Sequence, residues 1–458
     1  MKRKIISVIL VVIMTILPLT VGATAIGEKD FTLVSPYDTV DWDTWKQYKG
    51  NLHTHSSVSD GNASFRDMIY GAYEQGFDLL GFSEHGVTGK EWDQQPFIRP
   101  LYCYQIFTGN SRKPLTSEEF AAIKDGSAPL ENGQARGKGM FCVTGANELN
   151  AVTLTKSHVN GYFLPSWFGN LNWGFENGQE AAIAAVEKLG GLSHINHPGD
   201  WLDCDGKIDE IMDPKTVKYL GDLLLKYPSC LGMEAVNGFT SLTPFDRVLW
   251  DNVLMYCLPY GRTVYGFTSS DAHNVGRLDD CFNYYLMPET SMEAMRECLE
   301  NGTFFGATHK VVANDIIGPE NDINRSTGKD LPLPQVGYLK TEGHKISLKV
   351  SNASYVQWIA NGKPLARNDI NGDGTVTLDL DDYATDGMLY VRCEIYNENG
   401  MTYSQAITLD HGNEPLEYKP DTGFKATMQK VGFILSSTRV YVIISKLVGL
   451  IVKAINKT

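Results

Sequence analysis

The 458-residue chain carries a net charge of −14, with 43% hydrophobic and 21% charged residues. So acidic a balance excludes a general binder of nucleic-acid backbones, which needs clustered Lys and Arg to release counterions. The apolar content excludes a disordered chain, and the length fits two folded units with extensions.

The chain opens with basic Lys2, Arg3 and Lys4, an apolar run from Ile5, and the small residues of Ala23-Thr24-Ala25. That is the pattern of a secretory signal peptide over residues 1–25, so the expected location is extracellular or at the cell surface. An uncleaved anchor is the alternative, because the uncharged run is long enough to span a bilayer.

Residues 50–312 alternate strand-like apolar runs with helical segments. Ser64 reads as the N-cap of a helix through Gln75, followed by a buried strand over Phe77–Phe82. The rhythm returns with a helix at Glu180–Leu189 and a strand at Leu192–Ile195, then a helix at Pro214–Lys226 and a strand at Leu231–Val236. A helix at Phe245–Leu258 and a strand at Thr263–Thr268 complete it. Repeated βα units imply a parallel sheet or barrel. Residues 86–139 interrupt the pattern and read as an insertion or lid, with basic Arg99, Arg112 and Arg136.

A linker over residues 313–335 leads to short alternating runs over residues 336–410, the texture of a small all-β, immunoglobulin-like sandwich with Trp358 and Tyr390 as core aromatics. Within it, Asp369-x-Asn371-x-Asp373-Gly374 resembles the start of a calcium loop. Leu380 holds the place of the bidentate acid, so a hairpin turn is the expectation. Residues 431–458 are apolar but for Arg439, Lys446 and Lys453, whose spacing of seven puts them on one helical face. A basic amphipathic helix in contact with a membrane surface is expected there. Eight cysteines without regular spacing read as buried thiols rather than a disulfide scaffold.

Chemistry concentrates where the strands of the βα region end. His53 and His55 follow the first strand and share a side by alternation, and Asp60 follows on a turn. The second strand ends in Glu84-His85, and the third runs toward Glu148. His158 opens another apolar run. Leu192–Ile195 leads to His197-Pro198-Gly199, and the last strand ends in Asp271-Ala272-His273. In barrels of parallel strands, functional residues sit at these carboxyl ends. Seven of ten histidines fall in or beside such strands, including His194, whose parity sets it on the other face from His197. The clustering predicts a polynuclear metal site. Imidazole and carboxylate donors without cysteine suit zinc, manganese or iron.

The ordered motifs HTHSSVSDG, LLGFSEHG, the lone Glu148, SHVNGYF, HINHPG and SSDAH resemble the polymerase and histidinol phosphatase (PHP) family of metal-dependent phosphoesterases. The resemblance covers about residues 50–313 and looks most like secreted members. It implies an α/β fold, a distorted (β/α)7 barrel, holding two or three divalent metal ions (Zn, Mn or Fe). It further implies that His53, His55 and Asp271 bind one metal, with Glu148 bridging to a second completed by His158 and His197. Asp60, His85 and His273 would form a third site, and Glu148, Asp271 and His273 would stand closest to the chemistry. Glu84 departs from the Asp that family members usually carry before this histidine.

The expected reaction is hydrolysis of phosphomonoesters or phosphodiesters, with water activated by a metal that lowers its pKa from about 15.7 toward 7. The partner is a small phosphorylated substrate, with no stable nucleic-acid binding. Two other readings stay open: an amide or carboxylic ester hydrolase on the same scaffold, and a surface binding protein that uses the β-rich segment.

Overall fold

A computed structural model describes residues 30–96, 112–149, 158–166, 179–201, 208–238, 243–311, 323–324, 332–424 and 427–428. The signal-peptide and C-terminal-helix expectations, Arg99, Cys103, Cys204 and most of the linker lie outside these residues.

The helices form where local chemistry directs them. Phe65–Glu74 starts at Ser64, whose hydroxyl accepts from the Asp67 amide, and buries Phe65, Met68, Ile69, Ala72 and Tyr73 along one face. Pro214–Lys226 starts at Asp213 with proline in the first turn, and Asp246–Cys257 buries most of its length. Inside the insertion, Ser117–Asp125 begins with a reciprocal capping box between Thr116 and Glu119 and ends at Gly126 in the left-handed region.

The strands form two main sheets. The larger has 12 strands, and one run of it is Phe304–Thr308, Cys281–Met287, Lys46–Asn51, Leu79–Gly81 and Phe141–Val143, the last three parallel. The second has five: Asn147–Leu149, Val159–Tyr162, Leu192–Ile195, Cys230–Asn237 and Tyr265–Ser269, again with the last three parallel. Single bridges join the two sheets, Thr54 to Ala272 at one seam and His85 to Glu148 at the other. The expected closed ring is not found among the described residues. The ladder gives way at the seams because the strand ends there turn away to carry side chains inward.

The β-rich segment does not stand apart. Strand Gly400–Tyr403 pairs with Phe304–Thr308, and Ile407–Asp410 pairs with Thr32–Val34, so its strands extend the larger sheet. Trp358 and Tyr390 are fully buried as expected. The Asp373-Gly374 hairpin is not formed. Residues Lys363–Asp379 run as one long strand against Lys345–Ala360, with the register shifting where Gly372 takes φ +90°. The long antiparallel partner overrides the local turn signal.

A buried ionic network fastens helix Asp246–Cys257 to these strands. Arg392 donates to Asp251 at 2.7 and 2.8 Å and to Glu394 at 2.6 Å, and Arg247 lies 3.0 Å from Glu394. The six described cysteines are buried free thiols. No described helix is long and apolar enough to cross a membrane.

Candidate metal centre

The two seams bring the expected residues together. After strand Lys46–Asn51, the Asn51 side chain accepts from the His53 amide at 3.1 Å, and Thr54 bonds outward to Gly81 at 2.9 Å. His53 and His55 therefore point the other way, into the space between the sheets. The His55 amide donates to Ala272 at 2.9 Å, which fixes this strand end beside Asp271 and His273.

Asp60 comes from a turn that Glu84 ties shut. The Glu84 carboxylate accepts from the Ser56 amide at 2.9 Å and the Ser59 amide at 3.1 Å, and from both serine hydroxyls. Gly61 is required in the same turn, since a Cβ there would lie 2.6 Å from the Ser56 backbone. The extra methylene of Glu84 thus serves the loop, and its carboxylate is committed to it.

Glu148 is the hub. Its Oε1 lies 2.8 Å from His158 Nδ1, 3.3 Å from His197 Nε2 and 3.4 Å from His53 Nε2. Its Oε2 lies 3.1 Å from His55 Nε2 and 3.2 Å from His85 Nδ1. Asp271 Oδ1 lies 3.2 Å from His55 Nε2 and 3.4 Å from His53 Nε2. Asp60 sits 3.3 Å from His85 Nε2 and 3.4 Å from His273 Nε2. Four overlapping groups result, each with donor atoms close enough to share one ion: His53, His55 and Asp271; His53, Glu148 and His197; His85, Glu148 and His158; and His55, Asp60, His85 and His273. All nine expected residues converge. His158 and His197, expected to complete one site together, divide between two of these groups.

His194 lies apart, stacked on Phe267 with ring centroids 4.2 Å apart and within 3.1 Å of the Tyr162 hydroxyl. Side chains are buried throughout the cluster except at one edge, where Asp60 is 37% and His273 22% exposed. That edge is where solvent reaches the centre. Two members hold strained backbone, His197 at φ 24° and Asp271 at φ 49°, each costing about 1–3 kcal/mol.

The electrostatics favour cations. Burial would raise Glu148, but His158, His85 and His53 hold it well below the usual carboxylate range. Asp271 is likewise held low, against its burial, by His53, His55 and His273. Burial pulls His53 down, yet Asp271, Glu148 and Glu234 together lift it well above the ordinary value. His197 is lifted to about 9, its burial outweighed by Glu148 and Asp271. For His158 burial prevails and the pKa falls. Protons thus stand where the donor set is built for metal. His53 Nε2, His55 Nε2, His85 Nδ1 and Glu148 Oε2 are buried without a hydrogen bond of acceptable geometry. Buried polar atoms left so are costly, and divalent ions among them would satisfy the whole set.

Sequence reasoning missed Glu234. This fully buried carboxylate accepts from His53 Nδ1 at 2.6 Å, the His197 amide at 2.8 Å and Asn237 Nδ2 at 2.8 Å. It orients two metal-facing histidines from behind, as outer partners of metal ligands do. Its signal was a lone acid in the otherwise apolar CLGMEAVN, a strand buried along its whole length. Asn196 was also missed and donates to Glu148 at 2.8 Å. Of the insertion's cations, Arg112 returns to the centre, donating to the Ser57 carbonyl at 2.7 Å, whereas Arg136 lies 3.4 Å from Asp78.

No protein-family model and no curated protein matches the chain. Among solved structures it is similar to a two-domain protein containing a predicted PHP-like metal-dependent phosphoesterase from Bacteroides vulgatus. The identity is 14% and the TM-score 0.39, over 82% of this chain and 98% of the other. It is also similar to the lesion-specific endonuclease PfuEndoQ from Pyrococcus furiosus, at 16% identity and TM-score 0.29, over 56% of each chain.

Proposed function

We propose that the protein is a metal-dependent phosphoesterase that acts on small phosphomonoesters or phosphodiesters outside the cell. The observation that carries this reading is the convergence of six histidines and three carboxylates, with buried ring nitrogens facing one another, at a single solvent-facing edge. His53, His55 and Asp271 would hold one ion, Glu148 would be shared between neighbours, and Asp60, His85 and His273 would hold another.

Such ions supply positive charge for phosphoryl oxygens and make water acidic enough to act as a nucleophile near neutral pH. The three carboxylates cannot neutralise three divalent ions, so a fully loaded centre would keep a positive balance toward an anionic ester. The chain's own part is positioning. Glu234 fixes His53 and His197, Glu84 fixes the loop of Asp60, and the exposed Asp60–His273 edge admits the ester while the remaining ligands stay dry. Export rests on the signal-peptide pattern of residues 1–25, and surface retention on the basic face of residues 431–458.

The test compares turnover of bis(4-nitrophenyl) phosphate, 4-nitrophenyl phosphate and 4-nitrophenyl acetate by the metal-loaded chain. Phosphoester turnover, inhibited competitively by inorganic phosphate, is expected. Acetate cleavage without either phosphoester would replace this reading with a carboxylic ester hydrolase.

A further inference from the structure

A small pocket opens at the carboxyl end of strand Cys230–Asn237, lined by Val236, Asn237, Thr243, Pro244, Arg247 and Lys310. Its cavity volume is about 20 Å³, and among the described residues no carboxylate lines it. Asn237 connects it to the metal centre, since its amide donates to Glu234, which accepts from His53.

Three features give this pocket an unmet demand for negative charge. Arg247 is 5% exposed, and its Nη2 is buried without a hydrogen-bond partner, while its Nε faces Glu394 and its Nη1 only the Met401 sulfur at 3.6 Å. Lys310 Nζ meets Asp280 at 2.7 Å and the Gly238 carbonyl at 3.3 Å, which leaves one of an ammonium's three donors. The 12-residue helix Asp246–Cys257 begins here, and no side chain caps it. Asp251 and Glu394 offset Arg247 and Arg392, and Asp280 faces both Lys310 and Arg277.

We infer that this pocket binds a compact oxyanion, a carboxylate or phosphate group, and that it recognises a second anionic group of the substrate while the metal centre takes the scissile phosphate. The second clause rests on the phosphoesterase reading; the binding of an oxyanion does not. Arg247 Nη2, Lys310 Nζ and the first-turn amides of the helix are the donors, and such charge-assisted contacts are the strong ones.

The probe is selenate, titrated calorimetrically into the metal-loaded full chain and located by its anomalous scattering in crystals. Two sites are expected, one at the metals and one between Arg247 and Lys310. Lys310→Met is expected to weaken the second by roughly tenfold with metal content unchanged, and Lys310→Arg to retain it. Selenate only at the metals, or Lys310→Met binding as the parent does, overturns the inference. If Lys310→Met fails to fold, Arg247→Lys decides, because it keeps the charge beside Glu394 but removes Nη2. Retained selenate affinity in that variant counts against the pocket. A second site present in the parent and lost in Lys310→Met, in a chain that turns over no phosphoester, would leave the pocket standing and remove the phosphoesterase reading.

Discussion

Glu234→Gln tests the second layer of the metal centre. One carboxylate oxygen faces His53 Nδ1 at 2.6 Å, and the other faces the His197 amide and Asn237 Nδ2, both at 2.8 Å. A glutamine has one acceptor and one NH2. The His197 amide cannot reverse its polarity, so the glutamine oxygen must turn that way and the NH2 must face His53. His53 then has to accept at Nδ1 and carry its proton on Nε2, the nitrogen that looks toward Glu148 and Asp271. Holding metal requires the opposite tautomer, so one partner is always mismatched. Loss of such an outer partner costs 10–100-fold in metal affinity, or about 1.4–2.7 kcal/mol. The metal-free fold can adopt that Nε2-protonated tautomer and loses about 1–3 kcal/mol as the charge-assisted contact between Glu234 and His53 becomes a neutral one. Chelator competition gives the affinity, and denaturant unfolding with chelator present gives the stability. Metal affinity within threefold of the parent, with unchanged stability, would refute the tautomer argument.

Elemental analysis of the parent should give two to three equivalents of zinc, manganese or iron, sharply reduced in the His53→Ala, His273→Ala double variant; a parent that cannot be loaded removes the centre. The metal-free chain should lose thermal stability on both sides of mildly acidic pH. His197 is raised to about 9, so its contribution is full below its ordinary 6.5 and lost as pH rises through 9. Glu148 and Asp271 are depressed, so theirs holds above their ordinary values of 4.5 and 3.8 and fades as pH falls further. Metal should abolish the alkaline decline, and calorimetry across this range with and without chelator checks both limbs. Gly238→Ala would set a Cβ 2.2 Å from the Ser270 carbonyl and push on the strand end that carries Asp271. A loss of about 1–3 kcal/mol, with weakened metal binding, should appear in denaturant unfolding and chelator competition. Fusing residues 1–30 to a reporter enzyme should carry it out of the cell, and fractionation should place it outside; a reporter that stays inside refutes export.

Most of the nine converging residues were legible because they stand where apolar runs end, with His158 at the start of one and Asp60 on a turn, and alternation puts His53 and His55 on one side. Helix Pro214–Lys226 was legible to the residue, since Asp213 and Pro214 mark its start. Glu234 escaped because its partners lie 37 and 181 positions away and no local spacing points to them. The seams escaped for the same reason. Whether Lys46–Asn51 meets Tyr265–Ser269, and Leu79–Gly81 meets Asn147–Leu149, around a ring is decided by how the strand ends splay, which no single strand records. Gly400–Tyr403 reads as any short alternating strand; its pairing with Phe304–Thr308 is a long-range choice.

The strand Thr32–Val34 has consequences for how the chain comes into being. Its hydrogen-bonding partner is Ile407–Asp410, and the Thr408 hydroxyl reaches Val34 across 374 positions of sequence. The first described strand must therefore wait, unpaired, until nearly all of the chain has been synthesised. The fully buried Phe304–Thr308 strand waits similarly for Gly400–Tyr403. Closing such distant pairs is slow. Under the export proposed above, that delay would defer completion to the far side of the membrane. It also means that a truncation at the linker would not release a catalytic domain. It would leave an apolar sheet edge open to neighbouring molecules, an invitation to aggregate.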